Sequence, residues 1–308
     1  MRLKGLRAGQ ARQLDATLTI VIGTYNRVDQ LKRAVDSVVE QTKTPFHLIV
    51  TDAGSTDGTI EYLESIRSAN ITPILAGKKL GQAKALNDAF ANVTSTLACW
   101  LSDDNEVVDG GLDKAVAILD ADTRIGMVGL KVRDLEGPFV DAPYIGGMST
   151  FGILNVNQGV LRTSLLKEVG GFSEEFRDYG IDPDLTAKVL LAGKDIVYTR
   201  DVAIHHYRNW EMDKTSKAYA DQQARQQKYM AKYAELYRSR FPPTPVWLGK
   251  KVVWRLASRG MKVNVNSPGR FMGLGLRDWH NCLTGRYISV VRELTARNGL
   301  YHLRQRAR

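Results

Sequence analysis

Three acidic loops and one histidine pair stand out by residue type and spacing. Asp103-Asp104 follows the apolar run Thr96 to Leu101 directly, in the order Leu-Ser-Asp-Asp-Asn. Two adjacent carboxylates fixed at a strand end suit a hard divalent cation, since Mg²⁺ or Mn²⁺ takes one or two carboxylates and completes its shell with phosphate oxygens. The pair equally suits an acidic turn or a helix start, both of which Asp favours. Asp52-Ala-Gly-Ser-Thr-Asp57-Gly reads as a plain turn, or as a loop whose Asp52 carboxylate accepts hydrogen bonds from a nucleobase N–H or a ribose hydroxyl. Gly54 and Gly58 would then let the backbone approach the ligand. In Tyr179-Gly-Ile-Asp182-Pro-Asp184, Asp182 fits a helix N-cap with Pro183 at the first helical position. A catalytic carboxylate is compatible with that same place. His205-His206 closes the run Val202 to Ile204; such a pair is either ordinary or lends one imidazole to a metal held mainly by oxygens.

These loops need a scaffold, and the sequence supplies one. Leu18 to Gly23, Phe46 to Thr51, Ile71 to Leu75 and Thr96 to Leu101 read as strands, with helical spacing over Val28 to Glu40, Thr59 to Arg67 and Ala83 to Ala91. Strand and helix in this alternation predict an α/β layer with a mostly parallel sheet. Ligands of such sheets sit at the carboxyl ends of the strands. Thr24-Tyr25-Asn26, Asp52 to Asp57 and Ser102 to Asn105 all fall there. Beyond His206 the chain changes character: a polar helical stretch over Asp213 to Phe241, stopped by Pro242-Pro243-Thr244-Pro245, then helices over about Trp247 to Arg259 and Asp278 to Arg297. A Gly-rich loop separates the last two. Leu283, Tyr287, Val290, Val291 and Leu294 form one face of the expected last helix.

With 308 residues, 44% of them apolar and 25% charged, the chain has the make-up of a globular protein of one large domain or two smaller ones. Composition excludes collagen, coiled coil and wholesale disorder. No apolar run approaches the ~20 residues that span a bilayer, and Met1 to Ala16 is basic without an apolar core, so neither a membrane span nor a secretory signal is expected. Two distant cysteines, Cys99 and Cys282, exclude a disulfide scaffold and a Cys-rich zinc module and point to a reducing cytoplasm. The net charge of +10 is unevenly spread: residues 240–308 carry 14 Lys/Arg against two acids, a net of +12. Such a tail suits an anionic lipid surface, nucleic acid or an acidic partner, or is simply a solvated basic surface.

Taken in order, the loops resemble those of inverting glycosyltransferases of family 2. Ile20-Val-Ile-Gly-Thr-Tyr-Asn-Arg27 is similar to the family's opening strand, Asp52-Ala-Gly-Ser-Thr-Asp-Gly-Thr59 to its "DDGSTDGT" loop, and Gly81-Gln-Ala-Lys-Ala-Leu-Asn87 to its "GxxxAxN" helix. Asp103-Asp104 falls at its DxD metal motif. Gly170-Gly-Phe-Ser-Glu-Glu-Phe176 and Gly180-Ile-Asp-Pro-Asp-Leu185 resemble "GGFDE.F" and "GEDxDL", and His205 or His206 its late metal-site histidine. The resemblance spans about residues 18–210. Three positions depart from the pattern: Ala53 replaces an Asp, Ser102 stands where a strict DxD begins, and Ile181 replaces the Glu beside Asp182.

The resemblance implies a GT-A fold, with a basic N-terminal tail over 1–17, a catalytic domain over 18–210 and a basic α-helical extension over 211–308. It implies metal-dependent, inverting transfer of a sugar from a nucleotide-diphosphate sugar, a UDP-sugar first, to an acceptor hydroxyl in bacterial cell-surface glycan synthesis. Asp182 would be the catalytic base. Asp104 with His205 or His206 would hold Mn²⁺ or Mg²⁺. Thr24, Tyr25, Asn26, Asp52, Lys84, Asn87 and Asp103 would hold the donor. A glycan or glycolipid would be the acceptor, and the enzyme would be cytoplasmic, with its basic helices able to meet the inner face of the plasma membrane. No nucleic acid is expected. A sugar-1-phosphate nucleotidyltransferase would need a Gly-rich basic phosphate loop after the first strand, which Gly23-Thr-Tyr-Asn-Arg27 does not provide. A nucleic-acid-binding protein acting through the tail would gather Trp247, Trp254, Trp279 and Tyr287 into a stacking groove, but no nucleic-acid module motif accompanies them. Retention of Asp104, Asp182 and the histidines argues against an inactive relative.

Overall fold

The computed structural model describes residues 16–137, 139–208, 211, 213–262, 266–292 and 301–307. Most of the basic N-terminal tail, and Leu294 and Arg297 of the expected last helix, lie outside the described residues.

Leu18–Thr24 (β1) is buried almost throughout. Successive strand side chains point to opposite faces, so Leu18, Ile20 and Ile22 enter one core and Val21 the other. Burying each such side chain stabilises by roughly 1.5–3 kcal/mol. In Val28–Gln41 (α1), Leu31, Ala34, Val35 and Val38 are buried at helical spacing against the first core. The alternation continues through Phe46–Asp52 (β2), Thr59–Ile66 (α2), Ile71–Leu75 (β3), Gln82–Phe90 (α3) and Leu97–Ser102 (β4). β1 pairs in parallel with β2 and β4, and β2 with β3. The register sets Thr24 beside Asp52 and Gly23 beside Ser102, so three loops leave the sheet at one edge.

Asn105–Val107 (β5), Gly111–Ala121 (α4), Ile125–Asp134 (β6), Gly159–Arg162 (β7), Thr163–Glu168 (α5), Ile181–Leu191 (α6) and Asp195–His206 (β8) complete this part. The strand order is β8-β6-β7-β4-β1-β2-β3, with β7 alone running against the others. The short β5 lies antiparallel on the end of β8, bringing Asn105 opposite His206 and Glu106 opposite His205.

The C-terminal part comprises Lys217–Tyr237 (α7), Pro245–Gly260 (α8), a hairpin of Arg270–Phe271 (β9) and Leu274–Gly275 (β10), Leu276–Thr284 (α9), Ile288–Arg292 (β11) and Tyr301–Gln305 (β12). The helix expected over 278–297 is corrected: it ends at Thr284, and Ile288-Ser-Val-Val-Arg is a strand. Gly285 and the β-branched Ile288, Val290 and Val291 favour that outcome over a helix. β12 pairs antiparallel with β8 and with β11, so the extension is not helical throughout and joins the central sheet. Polar side chains fasten it. Arg304 bridges Asp122 and Asp195, Gln305 bonds Leu154 and Tyr198, and Lys131 on β6 meets Asp278 at 2.6 Å. The expected N-cap is also shifted: Gly180, at φ 91°, caps α6 and Asp182 lies inside its first turn.

Candidate functional site

A cavity of about 520 Å³ opens at the strand ends, among Thr24, Tyr25, Arg27, Thr51, Ala53, Lys79, Asp103, Asp104 and Arg177. Asp103 is buried, and its carboxylate accepts from the Thr24 hydroxyl and from the Arg27 guanidinium, both at 3.0 Å. Arg27 also stands 3.5 Å from Asp104. Burial pushes the Asp103 carboxyl up despite Arg27. Asp104 pays a similar desolvation penalty, but its bond to His206 and the charges of His206 and Arg27 hold it below the usual range.

His206 Nε2 lies 3.4 Å from Asp104 and its Nδ1 3.0 Å from Asp134, which is fully buried at the end of β6 and also accepts from the Tyr144 hydroxyl at 2.8 Å. Desolvation opposes protonation of His206, but the two carboxylates win and raise it to about 9. His205 faces the other side of β8. It lies 3.3 Å from Glu106 and lines a second cavity, of about 400 Å³, together with Lys131, Arg133 and Arg277. Of the histidine pair only His206 is brought to Asp104.

Whether these residues fit a divalent cation follows from the donor set. One carboxylate oxygen and one imidazole nitrogen 3.4 Å apart can bind the same ion. Among the described residues no three His, Cys, Asp or Glu side chains converge as a metal cage. A cation here would draw its remaining ligands from a bound diphosphate, which is how Mg²⁺ and Mn²⁺ are commonly held.

Asp182 lies apart from that cavity wall. It is half-buried, and its carboxylate accepts from the Trp100 indole N–H at 3.0 Å. Burial pushes its pKa up to about 7, against the smaller downward pull of that bond. Trp100 also donates to the Asn157 carbonyl, so the indole ties β4 to α6.

Several other residues expected to meet the donor have partners within the fold. Asp52 is fully buried and turns back on its own loop, accepting from Gly54 N, Ser55 N and the Ser55 hydroxyl. It shapes the wall that Thr51 and Ala53 present. Asp57 accepts from Val28 N and Thr59 N, serving the starts of α1 and α2. Asn26, at φ 52°, spends its side chain on Thr56 N. Lys84 pairs with Asp88 at 2.9 Å on the exposed side of α3. Asn87 holds both the N–H and the carbonyl of Phe172 with its amide, at 2.9 and 2.8 Å. Thr24, Tyr25, Asp103 and Asp104 line the cavity.

Sequence reasoning left out Arg27, Lys79, Arg177 and Asp134. Arg27 had a signal, as a cation directly after the loop Thr24-Tyr25-Asn26. Lys79 lies 3.7 Å over the Tyr25 ring, a pairing that no local pattern announces. Asp134 is legible only once β6 is known to end beside His206.

Residues 19–162 match the family model Glycosyl transferase family 2. Among curated proteins the chain is similar to an uncharacterized glycosyltransferase of Nostoc sp., 26% identical over 36% of this chain and 35% of the relative. It is 24% identical to the O-antigen biosynthesis protein RfbC of Myxococcus xanthus, over 62% of this chain and 17% of the relative. It is 26% identical to the N-acetylglucosaminyl-diphospho-decaprenol L-rhamnosyltransferase of Mycobacterium tuberculosis, over 62% of this chain and 76% of the relative. The chain therefore spans about a third or less of the length of the first two relatives. In fold it is similar to the mannosyltransferase PcManGT of Pyrobaculum calidifontis, solved with GDP-Man and Mn²⁺, at a TM-score of 0.55 and 22% identity over 77% of this chain and 68% of that one.

Proposed function

From the premise that this chain is a member of glycosyltransferase family 2, we propose that it transfers a sugar from a nucleotide-diphosphate donor to a glycan or glycolipid acceptor hydroxyl, in cell-surface glycan synthesis and with inversion. The single observation that supports this reading best is the disposition of carboxylates. Asp103 and Asp104 face the cavity at the end of β4, while Asp182, raised to about 7, stands beyond Trp100 of the same strand. A group titrating near neutrality suits a general base, a role typically worth ~10²–10⁴ in rate.

In this reading Tyr25, backed by Lys79, receives the nucleobase, and the wall of Thr51 and Ala53 receives the ribose. Arg27 and Arg177 face the diphosphate. Asp104 and His206 would hold Mn²⁺ or Mg²⁺, which when bound supplies positive charge for the departing diphosphate. Asp182 takes the acceptor hydroxyl proton as that oxygen forms its bond to the anomeric carbon. The bond from that carbon to the diphosphate breaks, and the nucleoside diphosphate leaves. The relatives named for O-antigen synthesis and for a diphospho-decaprenol acceptor support a bacterial cell-surface glycan. Such an acceptor is presented at a membrane, and a cytoplasmic position against its inner face belongs to this reading.

The test is binding of UDP, dTDP, GDP and ADP, each with and without Mn²⁺, followed by thermal unfolding. A diphosphate at ~100 times its dissociation constant adds about 2.7 kcal/mol of stability. A shift with one diphosphate, enlarged by Mn²⁺, supports the donor site and names its base, with a uridine nucleotide expected. No shift with any of the four overturns it.

A further inference from the structure

Among the described residues, the outer face of α8 carries an exposed apolar stripe. Trp247 and Trp254 are buried, the first donating to the Thr284 carbonyl and the second meeting His280 edge-on, so this helix packs on α9 by its tryptophans. Leu248, Val252 and Leu256 follow at i, i+4 and i+8 on the opposite side, all exposed, Leu256 by 64%. Val246 and Val253 widen the stripe on one flank, both exposed. On the other flank Lys251, Arg255 and Arg259 form a second row of the same spacing. Met261, Phe271 and Met272 are exposed as well, and Phe271 packs on Trp279, next to the His280 that meets Trp254.

The charge around this face is of one sign. Between residues 240 and 292 the only described acid is Asp278, which is buried and paired with Lys131. Arg255, Arg259, Lys262 and Arg270 are exposed and form no ion pair with a described residue. A second copy of the chain would bring the same cations to the contact, and like charges disfavour it. Stacking on single-stranded nucleic acid uses a row of exposed aromatics, whereas the tryptophans of α8 are buried and its outer row is aliphatic. An aliphatic row beside a basic row is the pattern of a helix lying in a lipid interface, its cation stems extended toward headgroup phosphates.

We propose that α8 docks the protein on an anionic lipid surface, with Leu248, Val252 and Leu256 entering the interface and Lys251, Arg255 and Arg259 meeting the headgroups. Cosedimentation with vesicles tests this, using phosphatidylglycerol and phosphatidylcholine in equal parts or phosphatidylcholine alone, in low and high salt. The wild-type chain should pellet with the anionic vesicles only, and less in high salt. Leu248→Glu/Val252→Glu/Leu256→Glu should abolish pelleting, and Arg255→Glu/Arg259→Glu should weaken partition by roughly thirtyfold or more. Both variants should keep the wild-type circular dichroism and nucleotide binding, since neither touches the cavity. Three results would overturn the proposal: a wild-type chain that stays in solution at low salt, equal binding to neutral vesicles, or unchanged pelleting of the triple variant. Concentration-dependent dimerisation lost in that variant would instead make the face a contact between copies. Nucleotide binding is read separately, so failure here leaves the proposed function standing.

Discussion

Trp100 donates its indole N–H to the carboxylate of Asp182 across 3.0 Å. The strand that leads into Asp103-Asp104 thus also holds the carboxylate proposed as base. The bond stabilises the charged form, while burial favours the neutral one and wins, leaving Asp182 at about 7. Activity that needs the carboxylate should rise with pH through about 7 and level off above it. Trp100→Phe removes the downward contribution, so the limb should move to higher pH. A pH profile of kcat for both proteins checks this; coincident limbs would separate Asp182 from the base.

Asp182→Asn keeps the shape and removes the basic oxygen. Turnover should fall by ~10²–10⁴ while nucleotide affinity stays within a factor of about two. Single-turnover rates and calorimetric titration with the diphosphate measure the two effects independently. A variant that loses both in parallel would place Asp182 in donor binding.

Arg27 occupies the space before both carboxylates of the Asp103-Asp104 pair, 3.0 and 3.5 Å away. It competes there with any divalent cation that approaches without a nucleotide. Arg27→Gln should therefore tighten Mn²⁺ binding to the nucleotide-free protein, by roughly fivefold if the half-exposed contact is worth about 1 kcal/mol. The same substitution should weaken diphosphate binding, because the cavity loses a cation. Titration with Mn²⁺ followed by electron paramagnetic resonance reads the first effect directly.

Asp134 fixes the ring of His206 through Nδ1, leaving Nε2 toward Asp104. Such outer partners are worth about 10–100-fold in metal affinity. Asp134→Asn should lower Mn²⁺ affinity by that order, Tyr144→Phe by less, and His205→Ala not at all, since His205 faces Glu106 and the second cavity. Equal losses on removing either histidine would contradict the geometry.

What could be read from the sequence depends on the range of the interactions that settle it. β1, β2 and β4 carry their signal locally, in runs such as Leu-Thr-Ile-Val-Ile that are buried on both faces. The order of the acidic loops along the chain located the cavity for the same reason: parallel strands deliver their ends to one edge. The apolar spacing after Thr284 fits a helix as well as a strand. The deciding contact is β12 on β8, across about a hundred residues. Asp52 and Asn26 pose a different ambiguity. A turn residue that bonds its own loop and one that awaits a ligand look alike until the hydrogen bonds are placed.

Asn87 shows the same ambiguity, and the structure turns it into a stability prediction. Its amide holds the N–H and carbonyl of Phe172, whose ring is buried and meets Trp100 edge-on at 5.6 Å. Gly171 beside it leaves no room for a larger neighbour, since an added Cβ would come within 2.6 Å of the Asn87 side-chain oxygen. Asn87→Ala strands two backbone groups of that loop and should cost about 1–3 kcal/mol, lowering the midpoint of thermal unfolding by roughly 2–6 °C. A diphosphate should still bind Asn87→Ala with near wild-type affinity, because the side chain faces the Phe172 loop and not the cavity. Scanning calorimetry and a nucleotide titration on the same preparation decide it: unchanged stability with lost nucleotide affinity would return Asn87 to the donor site.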